Sequence, residues 1–152
     1  MRKRIGVFAL VVVFMIIALV FPISGSAAPA KDKVRVGWVT SLSGPYASGV
    51  AGTNGPVYDF WIDEINAKGG IFVKEYGKRL PLEVIKYDDK SDVGTMTKLL
   101  EKTILEDKVD FIFAPWGTAM LYAAAPIATK HKYILLGGQG SALKLKEISY
   151  IH

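Results

Sequence analysis

Phe-Ile-Phe-Ala-Pro-Trp-Gly-Thr-Ala-Met, residues 111–120, carries the reading of the fold. Val109 to Phe113 is a short apolar run of the kind that forms a buried strand. Ala114-Pro115-Trp116-Gly117 cannot continue it, and Thr118 opens a stretch of small residues with helical character. A strand that breaks at a Gly-containing turn and enters a helix presents free backbone N–H groups and the positive end of a helix dipole. In open α/β sheets such turns lie at the carboxyl ends of strands, where ligands bind.

The same pattern recurs on both sides of this stretch. Upstream, Val34 to Thr40 reads as a first strand that runs into Ser41-Leu42-Ser43-Gly44-Pro45-Tyr46, and Gly49, Gly52 and Gly55 predict irregular backbone beyond it. A helix follows from Pro56 to Lys68, capped by Asn54 or Gly55, with Val57, Trp61 and Ile65 at helical spacing and Gly69-Gly70 as its stop. Trp61 and Tyr58 read as core or flank packing residues. Residues 71–79 are a polar connection with the makings of a small hairpin, and Leu80 to Tyr87 is the second strand. Asp88-Asp89-Lys90-Ser91-Asp92 is a polar turn in which Ser91 or Asp92 can cap a helix over residues 93–107. That helix carries Met96, Leu99, Leu100 and Ile104 on one face, and Lys102–Glu106 as a favourable pair on the other.

Downstream, a third helix spans Thr118 to Lys130, with Pro126 kinking or restarting it. Tyr133 to Leu136 is the fourth strand, feeding the loop Gly137-Gly138-Gln139-Gly140-Ser141 and a short helix over residues 142–147. Four strands alternating with three helices imply a parallel α/β sheet with helices on both faces, a three-layer domain.

The first thirty residues stand apart. Arg2, Lys3 and Arg4 precede an apolar run from Ile5 to Ile23 and the small residues Ser24–Ala28. This is the pattern of a secretory signal peptide over residues 1–28, with cleavage after Ala28, or after Ala27 or Ala30. An uncleaved membrane anchor is the competing reading. Three of the 19 basic residues precede Lys31 and no acidic residue does, so 16 basic residues face 14 acidic ones in the exported part. The basic balance of the whole chain therefore belongs largely to the leader, and no basic surface for nucleic acid is left to explain. The absence of Cys excludes a lipoprotein attachment site, disulfides and thiolate metal sites. Residues 31–152 suffice for one domain and not two. The closing stretch Ile148–His152 reads as the beginning of another strand, which suggests an N-terminal fragment or a truncated reading frame.

Enzyme signatures do not appear. Gly138-Gln139-Gly140-Ser141-Ala142-Leu143 fails the dinucleotide fingerprint at its last position and follows the fourth strand rather than the first. No phosphate loop of the Gly-x-x-x-x-Gly-Lys-Ser/Thr type and no Gly-x-Ser-x-Gly elbow occurs. His131 reads as a solvated cation at a helix end. Asp88 and Asp89 could pair as acid and base or hold a divalent cation, but turn and capping roles suit them better. No cofactor or metal is expected.

Several motifs, in order, resemble the periplasmic leucine/isoleucine/valine-type substrate-binding proteins of ABC transporters. Residues 36–46, Val-Gly-Trp-Val-Thr-Ser-Leu-Ser-Gly-Pro-Tyr, are similar to the family's opening strand and loop. Glu64-Ile65-Asn66-Ala67-Lys68-Gly69-Gly70-Ile71 resembles the end of its first helix, Asp88-Asp89 through Asp92 its acidic turn, and Ala124-Ala125-Pro126-Ile127-Ala128 its third helix. The resemblance implies a periplasmic-binding-protein type I fold, of which residues 31–152 would form the N-terminal lobe, incomplete and without the second lobe. It implies an extracytoplasmic protein that holds an amino acid or related small molecule in an interlobe cleft and delivers it to a membrane permease. By position, Thr118 with Gly117 matches the carboxylate-gripping turn, Gln139 the carbonyl contact and Ser141 the last hydroxyl. Tyr46 and Ser48 lie at the cleft mouth, and Trp116 offers an apolar wall for a larger or aromatic ligand. Thr118 and Ser141 also read as helix N-caps, and Trp116 as a residue packing against the missing lobe. Gly117-Thr118 replaces a pair of Ser common in the family, and Tyr58 and Trp61 replace small residues. Both departures put branched-chain specificity in doubt. A ligand-sensing receptor domain of the same fold and an exported α/β enzyme are the alternative functions.

Overall fold

β1 (Val34–Thr40) lies inside a four-stranded parallel sheet in the computed structural model, which describes residues 31–136. It pairs along its full length with β4 (Leu82–Asp88), from Val34 opposite Leu82 to Thr40 opposite Asp88. On its other edge Val36, Gly37 and Trp38 meet Phe111, Ile112 and Phe113 of β5. β6 (Leu135–Leu136) pairs with β5 and completes the order β4-β1-β5-β6. A separate antiparallel hairpin, β2 (Ile71–Val73) and β3 (Lys78–Leu80), occupies the polar connection, turned by a short 3-10 segment and Gly77.

The strands alternate between two apolar layers, as pleating requires. Val34, Val36 and Trp38 of β1 and Phe113 of β5 face one side, with Val50 and Ile62. Val39 and Ile112 face the other, with Met96, Leu100 and Ile104 of α3 (Val93–Leu105) and Met120, Leu121 and Ala124 of α4 (Thr118–His131). The expected three-layer parallel α/β domain is therefore present. α3 begins where Asp92 Oδ1 accepts the Thr95 N–H at 2.6 Å, the expected cap. Lys102 and Glu106 pair at 3.8 Å. α4 runs through the exposed Pro126 as one helix and does not restart there. His131 ends it half-buried rather than fully solvated, with Nε2 buried and without a partner among the described residues.

The segment after the first loop departs from expectation. Gly49 and Gly52 do not break the chain: α1 (Ala47–Gly52) is helical, and α2 (Asn54–Ala67) follows after Thr53. Thr53, not Asn54 or Gly55, sits at the N-cap, with no side-chain capping bond. The inward face of α2 also differs. Val57 is 61% and Trp61 38% exposed, whereas Tyr58, Ile62 and Ile65 pack on the core. Apolar residues at 57, 58, 60, 61, 62 and 65 spread over about 200° of the helix at about 100° per residue, so periodicity alone leaves its rotation open. Gly55 lets the start of the helix approach α1 closely, since a Cβ there would fall 2.8 Å from Val50 O. Tyr58 then stacks at 4.5 Å from Phe113 and edge-on to Trp38, and Trp61 flanks Phe113 at 6.1 Å.

The turn after β4 templates the loop after β1. Asp88 accepts hydrogen bonds from the N–H groups of Leu42, Ser43 and Lys90 and from Ser43 Oγ. Ser91 Oγ accepts from Tyr46 N–H and donates to Ser43 O. Gly44, at φ 79°, leaves no room for a Cβ, which would lie 2.6 Å from Lys90 O. Beneath them Asp89 is fully buried and accepts from Ser41 Oγ and Ser91 N–H through Oδ1, while Oδ2 has no partner. Desolvation acts to raise the Asp88 carboxyl, but the hydrogen bonds from Ser43, Lys90 and Leu42 outweigh it and bring its pKa below the ordinary carboxylate value. Burial dominates at Asp89 and pushes its pKa up, against the bonds from Ser41 and Ser91 and with help from the neighbouring charges of Asp88 and Asp92.

Two outcomes are expected. A Cβ at Gly37 would lie 2.3 Å from the buried Thr103 Cγ2, so Gly37→Ala should cost about 1–3 kcal/mol of stability in denaturant titration. Gly52, whose Cβ would meet nothing, should accept Ala without loss; equal effects at the two positions would refute the close-approach argument. The second outcome concerns acid. Asp88, with its lowered pKa, stabilises the fold above the ordinary carboxylate value and ceases to as pH falls through the lowered one. Asp89 acts in the opposite sense, its penalty lifting as pH falls through its raised value. Asp88→Asn should therefore lower Tm at neutral pH and flatten the acid decline of Tm; parallel Tm–pH curves would contradict this.

A crevice between the loops of two paired strands

β1 and β5 are hydrogen-bonded neighbours, but the chain leaves them on opposite sides of the sheet. After β1 it passes through α1 and α2 over the Trp38 face, and after β5 through α4 over the Ile112 face. Where connections diverge from adjacent parallel strands, a crevice opens at their carboxyl ends. Here one wall is the loop 41–46, held by Asp88 and Ser91, and the other is Ala114–Gly117.

The second wall is built from the inside out. Ala114 and Pro115 are buried, and the Ala114 N–H donates to Leu136 O at 2.9 Å. Gly117 adopts φ 91°, ψ 148°, and so turns the backbone into α4. It occupies the N-cap itself, and Thr118 is the first helical residue rather than the cap. Among the described residues a Cβ on Gly117 would meet nothing within 4 Å, so none of them fills the space beside it. The first N–H groups of α4 and the partial positive charge of its dipole face an anion placed there.

Trp116 joins the two walls. Its ring lies 5.6 Å from that of Tyr46, and its Nε1–H donates to Thr53 Oγ1 at 2.9 Å. The benzo edge covers Gly49, where an added Cβ would lie 2.3 Å from Cζ2. Trp116 thus packs on α1 and the α1–α2 junction of its own domain. Tyr46 is 37% exposed at the start of α1, and Ser48 is exposed in its first turn. Of the residues singled out in the sequence, Tyr46, Trp116, Gly117 and Thr118 come together at the crevice; Gln139 and Ser141 lie outside the described residues. Sequence reasoning missed Gly49 and Thr53 as the seat of Trp116, and read Asp88 and Ser91 as a turn without seeing that they hold Tyr46. The only local signal for the seat was the density of Gly after residue 44.

A second hollow, of about 420 Å³, lies over Trp38 between α1, α2 and β4. Lys86 Nζ stands 4.4 Å from the Trp38 ring and 2.8 Å from Asp59 Oδ1 at its rim. Trp116, Gly117 and Thr118 do not line it. Among the described residues no group of three or more His, Cys, Asp or Glu could hold a metal ion, and no helix is long and apolar enough to cross a membrane.

Solved structures share this fold. A branched-chain amino acid transporter substrate-binding protein, LivJ of Streptococcus pneumoniae, in complex with isoleucine, is 26% identical at a TM-score of 0.67, over 78% of this chain and 32% of that one. A solute-binding protein of an ABC transporter from Rhodopseudomonas palustris, in complex with 3,4-dihydroxybenzoic acid, is also 26% identical, with a TM-score of 0.57, over 80% and 31%. Another from R. palustris, in complex with 4-hydroxybenzoate, is 25% identical, with a TM-score of 0.58, over 79% and 31%. The chain thus spans about a third of the length of these proteins. The family described as periplasmic binding protein matches residues 33–149, nearly the whole of the chain after its first thirty residues, and the chain belongs to that family.

Proposed function

We propose that the protein is the extracytoplasmic solute-binding component of an ABC transporter, exported by its N-terminal segment, and that it captures an amino acid or a related small carboxylate. The observation that carries this reading is the convergence of Tyr46, Trp116, Gly117 and Thr118 at the carboxyl ends of β1 and β5, in front of the α4 N-terminus. A carboxylate there is met by the N–H groups of the first helical turn and by the Thr118 hydroxyl. The residues of the fourth loop, Gln139 and Ser141, complete the grip in this reading. Family members that hold isoleucine and hydroxybenzoates share the carboxylate and differ in the body attached to it.

The mechanism is capture without turnover. A ligand bridging this domain and a second lobe favours the closed form by the difference between its affinities for the closed and open forms. The closed form is what a membrane permease engages. One lobe covers only one side of a ligand, so residues 31–152 produced alone should bind at least a hundredfold more weakly than the two-lobed protein, by the loss of roughly half the contacts.

Calorimetry on the protein made from its native reading frame tests the reading, with isoleucine, leucine, phenylalanine and 4-hydroxybenzoate as probes. At least one should bind with micromolar or better affinity, and Thr118→Val should weaken it about tenfold, the worth of a hydrogen bond to a charged group. No binding of any small carboxylate, or an unchanged affinity in a Thr118→Val variant that remains folded by circular dichroism, would sink this assignment.

A further inference from the structure

The indole of Trp116 is fixed before any ligand arrives. Its N–H is engaged by Thr53 Oγ1, and that oxygen is itself oriented, because the Thr53 hydroxyl donates to Gly49 O at 2.6 Å and leaves a lone pair for the indole. The benzo edge rests on Gly49 so closely that a methyl group would lie 2.3, 2.5 and 2.7 Å from Cζ2, Cη2 and Cε2. Turning the side chain away would break the hydrogen bond and uncover the glycine. The Tyr46 ring stands at 47° to the indole, 5.6 Å between centroids, and its backbone is tied to Ser91. Together they form an aromatic corner whose indole wall is fixed. Beside it, one and two residues on, are Gly117, whose Cβ would meet none of the described residues, and the start of α4.

We propose that Gly49 and Thr53 determine ligand choice by clamping Trp116 into this corner, and that the ligand so selected is a planar aromatic carboxylate. The inference rests on the reading of the crevice as the solute site. A flat ring meets a rigid aromatic corner over its face or edge at centroid distances of about 4.5–7 Å, with an attraction beyond area burial. A branched aliphatic chain has no such term and fills a flat-walled corner poorly. Trp116 stands two residues before Thr118, the first helical residue, so in this scheme the carboxylate is attached close to the ring. Benzoate-type acids meet that requirement. Gly49 and Thr53 touch no ligand in this scheme: they act through Trp116 as positioning residues.

The test uses the protein made from its native reading frame, with 4-hydroxybenzoate and isoleucine as probes in calorimetry and tryptophan fluorescence. The expected result is that 4-hydroxybenzoate binds at least about tenfold more tightly than isoleucine and perturbs indole emission. Thr53→Val, nearly isosteric, and Gly49→Ala should each lower 4-hydroxybenzoate affinity about tenfold and leave isoleucine affinity within about threefold, a selective loss that general destabilisation does not produce. Should isoleucine bind and 4-hydroxybenzoate not, this proposal fails while the solute-binding assignment stands. Should 4-hydroxybenzoate bind equally well to the parent and to Thr53→Val, the clamp is refuted. Failure of both probes and of the other small carboxylates overturns the proposal together with the assignment beneath it.

Discussion

Everything in this domain hangs on β1 being paired on both edges. Its seven residues meet β4 in continuous parallel register, and three of them also meet β5. With helices packed on both faces of the sheet as well, most of its residues must suit one of two cores, Arg35 excepted. Val36 and Trp38 serve one and Val39 the other. Gly37 serves neither by its side chain; its absence of one lets Thr103 and Val109 approach the sheet. The crevice is a consequence of the same pairing. Once β1 and β5 are neighbours and their connections depart on opposite faces, their two outgoing loops must separate, and the gap between them lies at the strand ends.

A gap is not yet a site. Loops at strand ends are free to sample many conformations unless something holds them, and here the holding groups come from a third strand. Asp88 gathers three N–H groups and a hydroxyl, and Ser91 ties Tyr46 and Ser43 into the same turn. The buried Asp89 below keeps an oxygen without a partner. Such an oxygen is costly in a medium that solvates charge poorly, which is why the carboxyl's pKa rises. The acidic pair thus divides its work: one carboxylate is stabilised by organising the loop, and the other bears the cost of anchoring Ser41 from beneath.

Much of this was legible in the chain. β1, β4 and β5 follow from apolar patterning, the α3 cap from Asp92, and the inward stripe of that helix from Met96, Leu100 and Ile104. These are local signals, complete within one element. The rotation of α2 was not legible, because its apolar residues spread over more than half of its circumference and only packing on the core selects Tyr58 and Ile62 over Val57. The helicity of α1 was hidden by glycines whose role is steric. Residue by residue, Gly49 resembles a chain breaker; its purpose appears only when Trp116, far along the sequence, is laid on it.

That long-range seat bears on how a site of this kind gains selectivity. A tryptophan free to rotate would have to be ordered by each ligand it met, and the ordering would cost affinity for all of them alike. With the indole held by Thr53 and pressed on Gly49, that cost falls on folding instead. The ligand then meets a wall whose shape is already decided, and a body that does not match it gains nothing by induced adjustment. Selectivity in such a crevice comes less from the groups that touch the carboxylate, which any carboxylate satisfies, than from residues behind the wall that keep it from moving.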